Sequence, residues 1–327
     1  MSSMNLNLIG HLRRPIVLFM IFLAITPLFS SHQFYRHLLT LIFLFAFFSA
    51  AWNLISGFGG QFSLGHVAFF GIGAYITSFL YIDYGIPPWI GMLISAIGGI
   101  LLSLIIGFAT FRLRAFFFAL STIACAEALN ALFTYWRILA PTGLGTTIPY
   151  NPGFINLTFD SELPYTYIAY FLLVIVVITT FLIINSRLGY YLRAIGGEEE
   201  AAMSLGVNVF RVKLLVFAVS ALFTAIGGGF YSMYVQYIEP AIVFNIDFSI
   251  QFAIFTIVGG MATVPGPIIG SALLVPLSTF FRSWVGGLYT PLGFFMYGFI
   301  LVFIIMVAPG GMMKGINSLH KVILKRS

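Results

Sequence analysis

Runs of about 20 apolar residues recur from one end of this chain to the other, and that repetition restricts the fold more than any single motif. Each run is long enough to cross a hydrocarbon core of about 30 Å as a helix. Backbone groups in lipid must find partners within their own segment, which a helix provides and an open strand does not. A transmembrane barrel is written as short alternating strands; these runs are long and continuous. Only 7% of the 327 residues are charged and 60% are hydrophobic, and the mean hydropathy is +1.05. Soluble domains keep roughly a quarter of their residues charged. The expected fold is therefore all-α, a polytopic transmembrane helical bundle.

Ten spans are expected, near 15–31, 37–56, 62–82, 89–111, 115–135, 165–185, 214–234, 247–264, 267–285 and 290–308, with eight to eleven compatible with the Gly- and Pro-broken segments. Placing both termini in the cytoplasm puts Arg13, Arg14, Arg112, Arg114, Arg187, Arg193, Arg211, Lys213, Lys314, Lys321, Lys325 and Arg326 inside. Only Arg36, Arg137 and Arg282 fall outside, as the positive-inside rule requires. The organisation expected is a cytoplasmic N-terminus over 1–14, a transmembrane domain over 15–310 with a cytoplasmic loop at 186–213, and a basic tail over 311–327. Arg13-Arg14 ahead of an apolar run imitates a leader, but no small-x-small cleavage site follows, so an uncleaved first span is expected. The pI of 9.4 invites a nucleic-acid partner; the basic residues are sorted by topology rather than gathered in a patch, which argues against one. A single cysteine, Cys125, leaves no disulfide framework or Cys-based metal site.

The loop from Asn185 to Lys213 is charged in a chain that otherwise avoids charge. Gly196-Gly197 breaks it, then Glu198, Glu199 and Glu200 precede Ala201, Ala202, Met203, Ser204, Leu205 and Gly206. Acids in a first turn suit the positive end of the helix dipole, and glycine beyond the last turn stops a helix. The pattern predicts a helix of about two turns over Glu198–Leu205. Ala201, Ala202 and Leu205 are expected to share a small-residue face that fits a groove on another protein, and Val207 to Lys213 to form a second short amphipathic piece.

Two regions inside the apolar part break the helical pattern. The first runs from Asn53 through Gly57, Gly59-Gly60, Gln61, Ser63 and Gly65 to His66, with Gly71 and Gly73 continuing along the next span. Closely spaced glycines permit close helix approach, and Asn53, Gln61, Ser63 and His66 add polarity beside them. Taken singly, each polar group is explained by interhelical bonding; as a cluster they are candidates for a translocation path. The second region is Gly259-Gly260 to Pro265-Gly266-Pro267, then Gly270. Its prolines forbid one continuous helix, and discontinuous helices in transporters line substrate or gating sites. Gly259, Gly260 and Pro265 therefore join the candidate path. No internal repeat stands out.

Glu127 is the one acid well inside a span. It shares a face with Asn130, Ala131 and Thr134, with Ala124 one turn earlier, and this face is expected to point into the bundle because a lipid-facing carboxylate is costly. Two readings stand: a structural acid, protonated or hydrogen-bonded, which is the more economical, or a transient contact for a substrate ammonium. His66 lacks a second ligand at metal spacing, and no catalytic constellation is present, so no enzyme, metal or cofactor is expected. There is also no G-x-x-x-x-G-K-[ST], so ATP would have to be bound by another chain.

The Glu200-Ala201-Ala202-x3-Gly206 spacing resembles the EAA loop of bacterial ABC permeases, without the Leu-Pro that often ends the longer motif. The ordered set Ala51-Trp52-Asn53, Ser63-Leu64-Gly65-His66, Gly71-x-Gly73-Ala74-Tyr75, Arg114-Ala115-Phe116, Ser186-Arg187-Leu188-Gly189, Gly227-Gly228-Gly229, Gly259-Gly260 and Gly266-Pro267 looks like the branched-chain amino acid ABC permeases, nearest the M-type subunit. The departure is Pro141 to Thr147, where that family carries a Thr-Gly-Gly segment. The resemblance, over about 38–310, implies a bacterial inner-membrane permease that pairs with a second, paralogous permease. It also implies two ABC ATPases that bind ATP-Mg and dock on the Glu198–Gly206 loop, and a periplasmic or surface-anchored binding protein that delivers the amino acid. Related permeases carry urea or short amides. The rival class is an ion-coupled carrier acting alone, for which Glu127 would be the titratable group.

Overall fold

The computed structural model describes residues 32–113, 115–139 and 145–284, with residues 23, 25–27, 298, 302, 306 and 311–313 in addition. Among them, seven helical stretches are long and apolar enough to cross a membrane, the seventh being Pro240–Gly259, and a shorter apolar stretch, Gly266–Phe280, follows. The expected spans at 15–31 and 290–308 lie almost wholly outside the described residues. Helix α1 runs Gln33–Asn53 and passes into a five-residue π-turn, Leu54–Phe58. Then come α2 (His66–Tyr84), α3 (Pro88–Thr110) and α4 (Ala115–Leu139). After strand β1 (Thr146–Thr147) follow α5 (Glu162–Ile184), α6 (Arg187–Gly197), α7 (Glu199–Ser204) and the long α8 (Val209–Val235). Strand β2 (Tyr237–Ile238), the single turn α9 (Pro240–Val243), α10 (Ile246–Gly259) and α11 (Gly266–Trp284) complete the order.

Two helices organise the core. Helix α1 packs against α5, α10 and α11, and α8 packs against α2 and α3. Phe43, Phe47, Phe48 and Trp52 of α1 are buried, with Phe48 stacked on Phe252 of α10 at 4.8 Å and edge-on to Phe70 of α2 at 5.3 Å. Offset and edge-to-face geometries add a little over plain area burial. Where α2 crosses α8, backbone meets backbone: a Cβ on Gly73 would collide with the carbonyl of Ala225, and one on Gly228 with that of Phe70. Only glycine on both sides allows that approach, the packing device expected of helices in lipid.

The first turn of α2 gets its caps from elsewhere in the fold. The Val67 amide donates to Ser249 Oγ of α10 at 2.8 Å, and the Leu64 amide to Thr122 Oγ1 of α4 at 3.2 Å. At the end of α8 remote from α7, β1 and β2 pair antiparallel, Thr146 opposite Ile238 and Thr147 opposite Tyr237. That ladder ties the α4–α5 loop to the turn after α8.

Candidate functional site

The loop expected to meet a partner folds into two short helices. Ser186 caps α6 by accepting from the Leu188 amide at 3.2 Å. Leu192 and Ile195 are buried on its inner face, and α6 packs against both α8 and the π-turn. This helix was not foreseen. Its signals were the Ser186 cap and the Leu188, Leu192, Ile195 spacing.

Helix α7 is one residue shorter at each end than expected. Glu198 is the extended N-cap residue and Leu205 the C-cap, with Glu199 and Glu200 in the first turn. Gly206 adopts a φ of +84°, its amide donates to Met203 O at 2.9 Å, and the Val207 amide donates to Ala202 O at 3.1 Å. This pair of bonds is the Schellman stop that glycine favours. The shared face of Ala201, Ala202 and Leu205 is corrected: Ala202 is buried in the chain's own core, while Ala201 is exposed and Leu205 is 83% exposed. Neighbouring residues on a helix point about 100° apart, so one alanine packs inward and the other is presented. The second amphipathic piece is corrected too. Asn208 caps α8 by accepting from the Arg211 amide at 3.0 Å, and residues 209–213 are the first turns of one continuous helix.

Lys213, read from the sequence as an inside charge at the end of the Val207 to Lys213 piece, is buried and donates to Glu199 Oε2 of α7 at 2.6 Å.

The two broken regions, far apart in sequence, meet. Asn53, the last residue of α1, donates through Nδ2 to Thr263 O at 2.8 Å and accepts at Oδ1 from the Ala262 amide at 3.0 Å. It therefore splints the turn between α10 and α11, where Gly260 has a φ of +129°. Thr263 Oγ1 donates to Gly260 O at 2.7 Å and accepts from the Gly266 amide at 3.1 Å, so Gly259, Gly260 and Pro265 frame a short, internally bonded turn. His66 is fully buried between Ser63 and Ser220. Ser220 Oγ spends its hydrogen on Ala51 O at 2.6 Å and so accepts from His66 Nε2–H at 2.8 Å. His66 Nδ1 then accepts from Ser63 Oγ at 3.1 Å, and Trp52 Nε1 donates to Ser63 O at 2.7 Å. That assignment follows from the donor and acceptor inventory of neutral imidazole. Gln61, two residues before Ser63 in sequence, is buried, and its Oε1 has no hydrogen-bond partner among the described residues.

Glu127 and Asn130 stand apart from this cluster on α4. The expectation that their face points inward is corrected. Ala124, Glu127, Ala128 and Ala131 are exposed, and Asn130 is half-buried beside Thr134, which donates to its Oδ1 at 3.4 Å. The helical face was read correctly and its direction was not, because one chain can leave a polar face for a neighbour to cover.

A further cluster, missed in the sequence, lies at the far end of α8. Tyr234 donates to Glu162 Oε2 at 2.9 Å, and His37 Nδ1 lies 3.7 Å from Glu162 Oε1. These residues line a cavity of about 350 Å³ with Tyr150, Asp160 and Tyr165. The hydrogen bond from Tyr150 to Asp160, followed by burial and the carboxylate's charge, raises the Tyr150 phenol above its ordinary range. Residues from α1, α5, α8 and the loop before α5 build this site, and none carries a local motif.

The profile of one family, described as branched-chain amino acid transport system / permease component, matches residues 34–307. The high-affinity branched-chain amino acid transport system permease protein LivM of Escherichia coli (strain K12) is 24% identical over 297 residues, covering 84% of this chain and 68% of that protein. LivM of Salmonella typhimurium matches to the same degree over 301 residues. LivH of Escherichia coli, named as a permease protein of the same kind of system, is 27% identical over 134 residues, 41% of this chain and 42% of LivH. No solved structure matches. With more than half its length inside the family profile, this chain belongs to the permease components of branched-chain amino acid transport systems.

Proposed function

We propose that this chain is one of two permease subunits in an ABC importer that carries branched-chain or related amino acids inward across the bacterial cytoplasmic membrane. Both termini and α6–α7 then face the cytoplasm, and the β1–β2 ladder faces outside, where a binding protein delivers the amino acid. The observation that carries the reading is α7. It is a six-residue helix held between a membrane helix and a glycine stop, with Ala201 and Leu205 presented outward. Two separate ATPases closing on ATP press on two such helices and switch the permease pair between outward- and inward-facing states. Substrate choice rests largely with the binding protein, so the path needs little charge of its own.

The need for a second permease rests on α4. A carboxylate near the middle of a span is stable only against a protein or an aqueous path. Glu127 is exposed on this single chain, within a stripe of small residues. A paralogous permease covers that face, leaving Glu127 and Asn130 beside the passage between the two. The names of LivM and LivH, both permease proteins of branched-chain amino acid systems, support such a pair.

The test is to purify the tagged chain in mild detergent, identify its companions by mass spectrometry and assay ATP hydrolysis. Two ATP-binding subunits and a second permease are expected. A chain that purifies alone and without ATPase activity sinks the proposal and returns the ion-coupled carrier.

A further inference from the structure

We infer that Lys213 is the fastening between the cytoplasmic helix α7 and the membrane domain, so that α7 and the long α8 move as one lever. The inference rests on the permease reading and names the residue that would carry its coupling. The side chain of Lys213 is 3% exposed, that of its partner Glu199 is 45% exposed, and the two are 2.6 Å apart. The asymmetry matters. Glu199 can turn to water if the pair opens, but the Lys213 ammonium would stay buried without the carboxylate that pairs it. An unpaired buried charge is far costlier than a paired one. Rotation of α7 away from α8 is therefore opposed by the cost of leaving a single buried ammonium unpaired.

The bonds continue from Lys213 into the membrane domain. One turn along α8, Phe217 is buried against Phe69 at 5.2 Å and Phe111 at 5.4 Å. Ser220, nearly two turns on, donates to Ala51 O of α1 and accepts from His66 of α2. Ala51 lies two residues before Asn53, which holds Ala262 and Thr263 at the break between α10 and α11. A displacement of α7 by an ATPase thus has a continuous bonded route to the broken segment, entered through one ion pair. Contiguity alone does not establish coupling, which is why the test reads the far end of the route.

The experiment uses the complete complex purified with its ATPases, in a Cys125→Ala background with Val264→Cys as a reporter in the broken segment. Maleimide labelling of that cysteine is measured with and without a non-hydrolysable ATP analogue. The otherwise native complex is expected to label at clearly different rates in the two conditions. Lys213→Met is expected to shrink that nucleotide-dependent difference about ten-fold, within the range a coupling residue commands. The double variant Lys213→Met/Glu199→Gln should be no worse than Lys213→Met alone, because both changes open the same link. The charge-reversed pair Lys213→Glu/Glu199→Lys should recover part of the response.

An undiminished response in Lys213→Met overturns the inference, as does a reporter that ignores nucleotide in the native complex. Should Lys213→Met fail to assemble, the double variant, which buries no charge at this site, decides in its place. A purely structural lysine would lower thermal stability while leaving the nucleotide response of surviving complexes intact. A native chain that brings no ATPase with it overturns the importer proposal instead, a result visible before any labelling.

Discussion

Helices α1 and α4 are both apolar enough to enter a bilayer, yet 78% of the membrane window of α1 is buried within the chain against 17% for α4. Helix α1 is surrounded by α5, α8, α10 and α11, and the polar residues along its inner part, Thr40, Ser49 and Asn53, are buried. Helix α4 presents Phe116, Phe117 and Leu120 at one end, Tyr135 and Trp136 at the other, and Ala124, Glu127, Ala128 and Ala131 between them. The lesson is that hydropathy reports that a helix enters the membrane and says nothing of which neighbours cover it. Lipid, a second chain and the chain's own core all accept an apolar helix. Only polarity on an uncovered face tells them apart, because hydrocarbon cannot solvate a carboxylate.

Four substitutions break or sharpen this contrast. Trp52→Ala on α1 removes a fully buried indole and its bond to Ser63 O, and should cost about 3–5 kcal/mol in detergent unfolding. A loss below about 1 kcal/mol would mean that α1 is not the packing centre described here. Asn53→Leu removes both bonds to the 262–263 turn and should cost about 2–3 kcal/mol, since the Ala262 N–H and the Thr263 carbonyl each lose their partner. It should also raise maleimide labelling of a cysteine at Val264; unchanged labelling would separate Asn53 from that turn. Ala128→Trp on α4 should leave the stability of the isolated chain within about 0.5 kcal/mol, as exposed positions generally do, while displacing the second permease on co-purification. Retention of the pair would place this face against lipid and end the interface reading. Glu127→Gln should be the gentlest, with folding and pairing intact and the rate of amino acid uptake reduced. Uptake equal to native would assign Glu127 a structural part only.

The legible part of the fold was the part governed by local chemistry. Seven of the expected spans coincide with helices long enough to cross a membrane, because lipid leaves an apolar run no other way to pair its backbone. The stop of α7 at Gly206 was readable for a similar reason: a left-handed turn after a helix is cheap for glycine and costly for other residues. Helix α6 was legible and overlooked, its signals overshadowed by the glycines at its end.

Other features had no local signature. Asn53 is 210 residues from Thr263, and Ser220 is 154 residues from His66. Only the packing of α1, α2, α8 and α10 brings those partners into bonding distance. Lys213 looked like one more inside charge, because burial belongs to the assembled helices and not to the residue. The direction of the Glu127 face was misread on the same ground: periodicity groups residues on one side of a helix without saying which side the fold covers.

By itself, then, the sequence determined that this chain fills a membrane with helices, where a glycine ends the cytoplasmic helix, and to which family the whole belongs. These rest on interactions spanning a few residues or on the general demand that buried backbone be paired. Tertiary structure alone decided that Asn53 splints the α10–α11 break, that Lys213 holds α7 to α8, and that α4 keeps a carboxylate face uncovered. Each of these depends on which helices lie side by side, a choice made by glycine crossings and aromatic packing between residues distant in the chain.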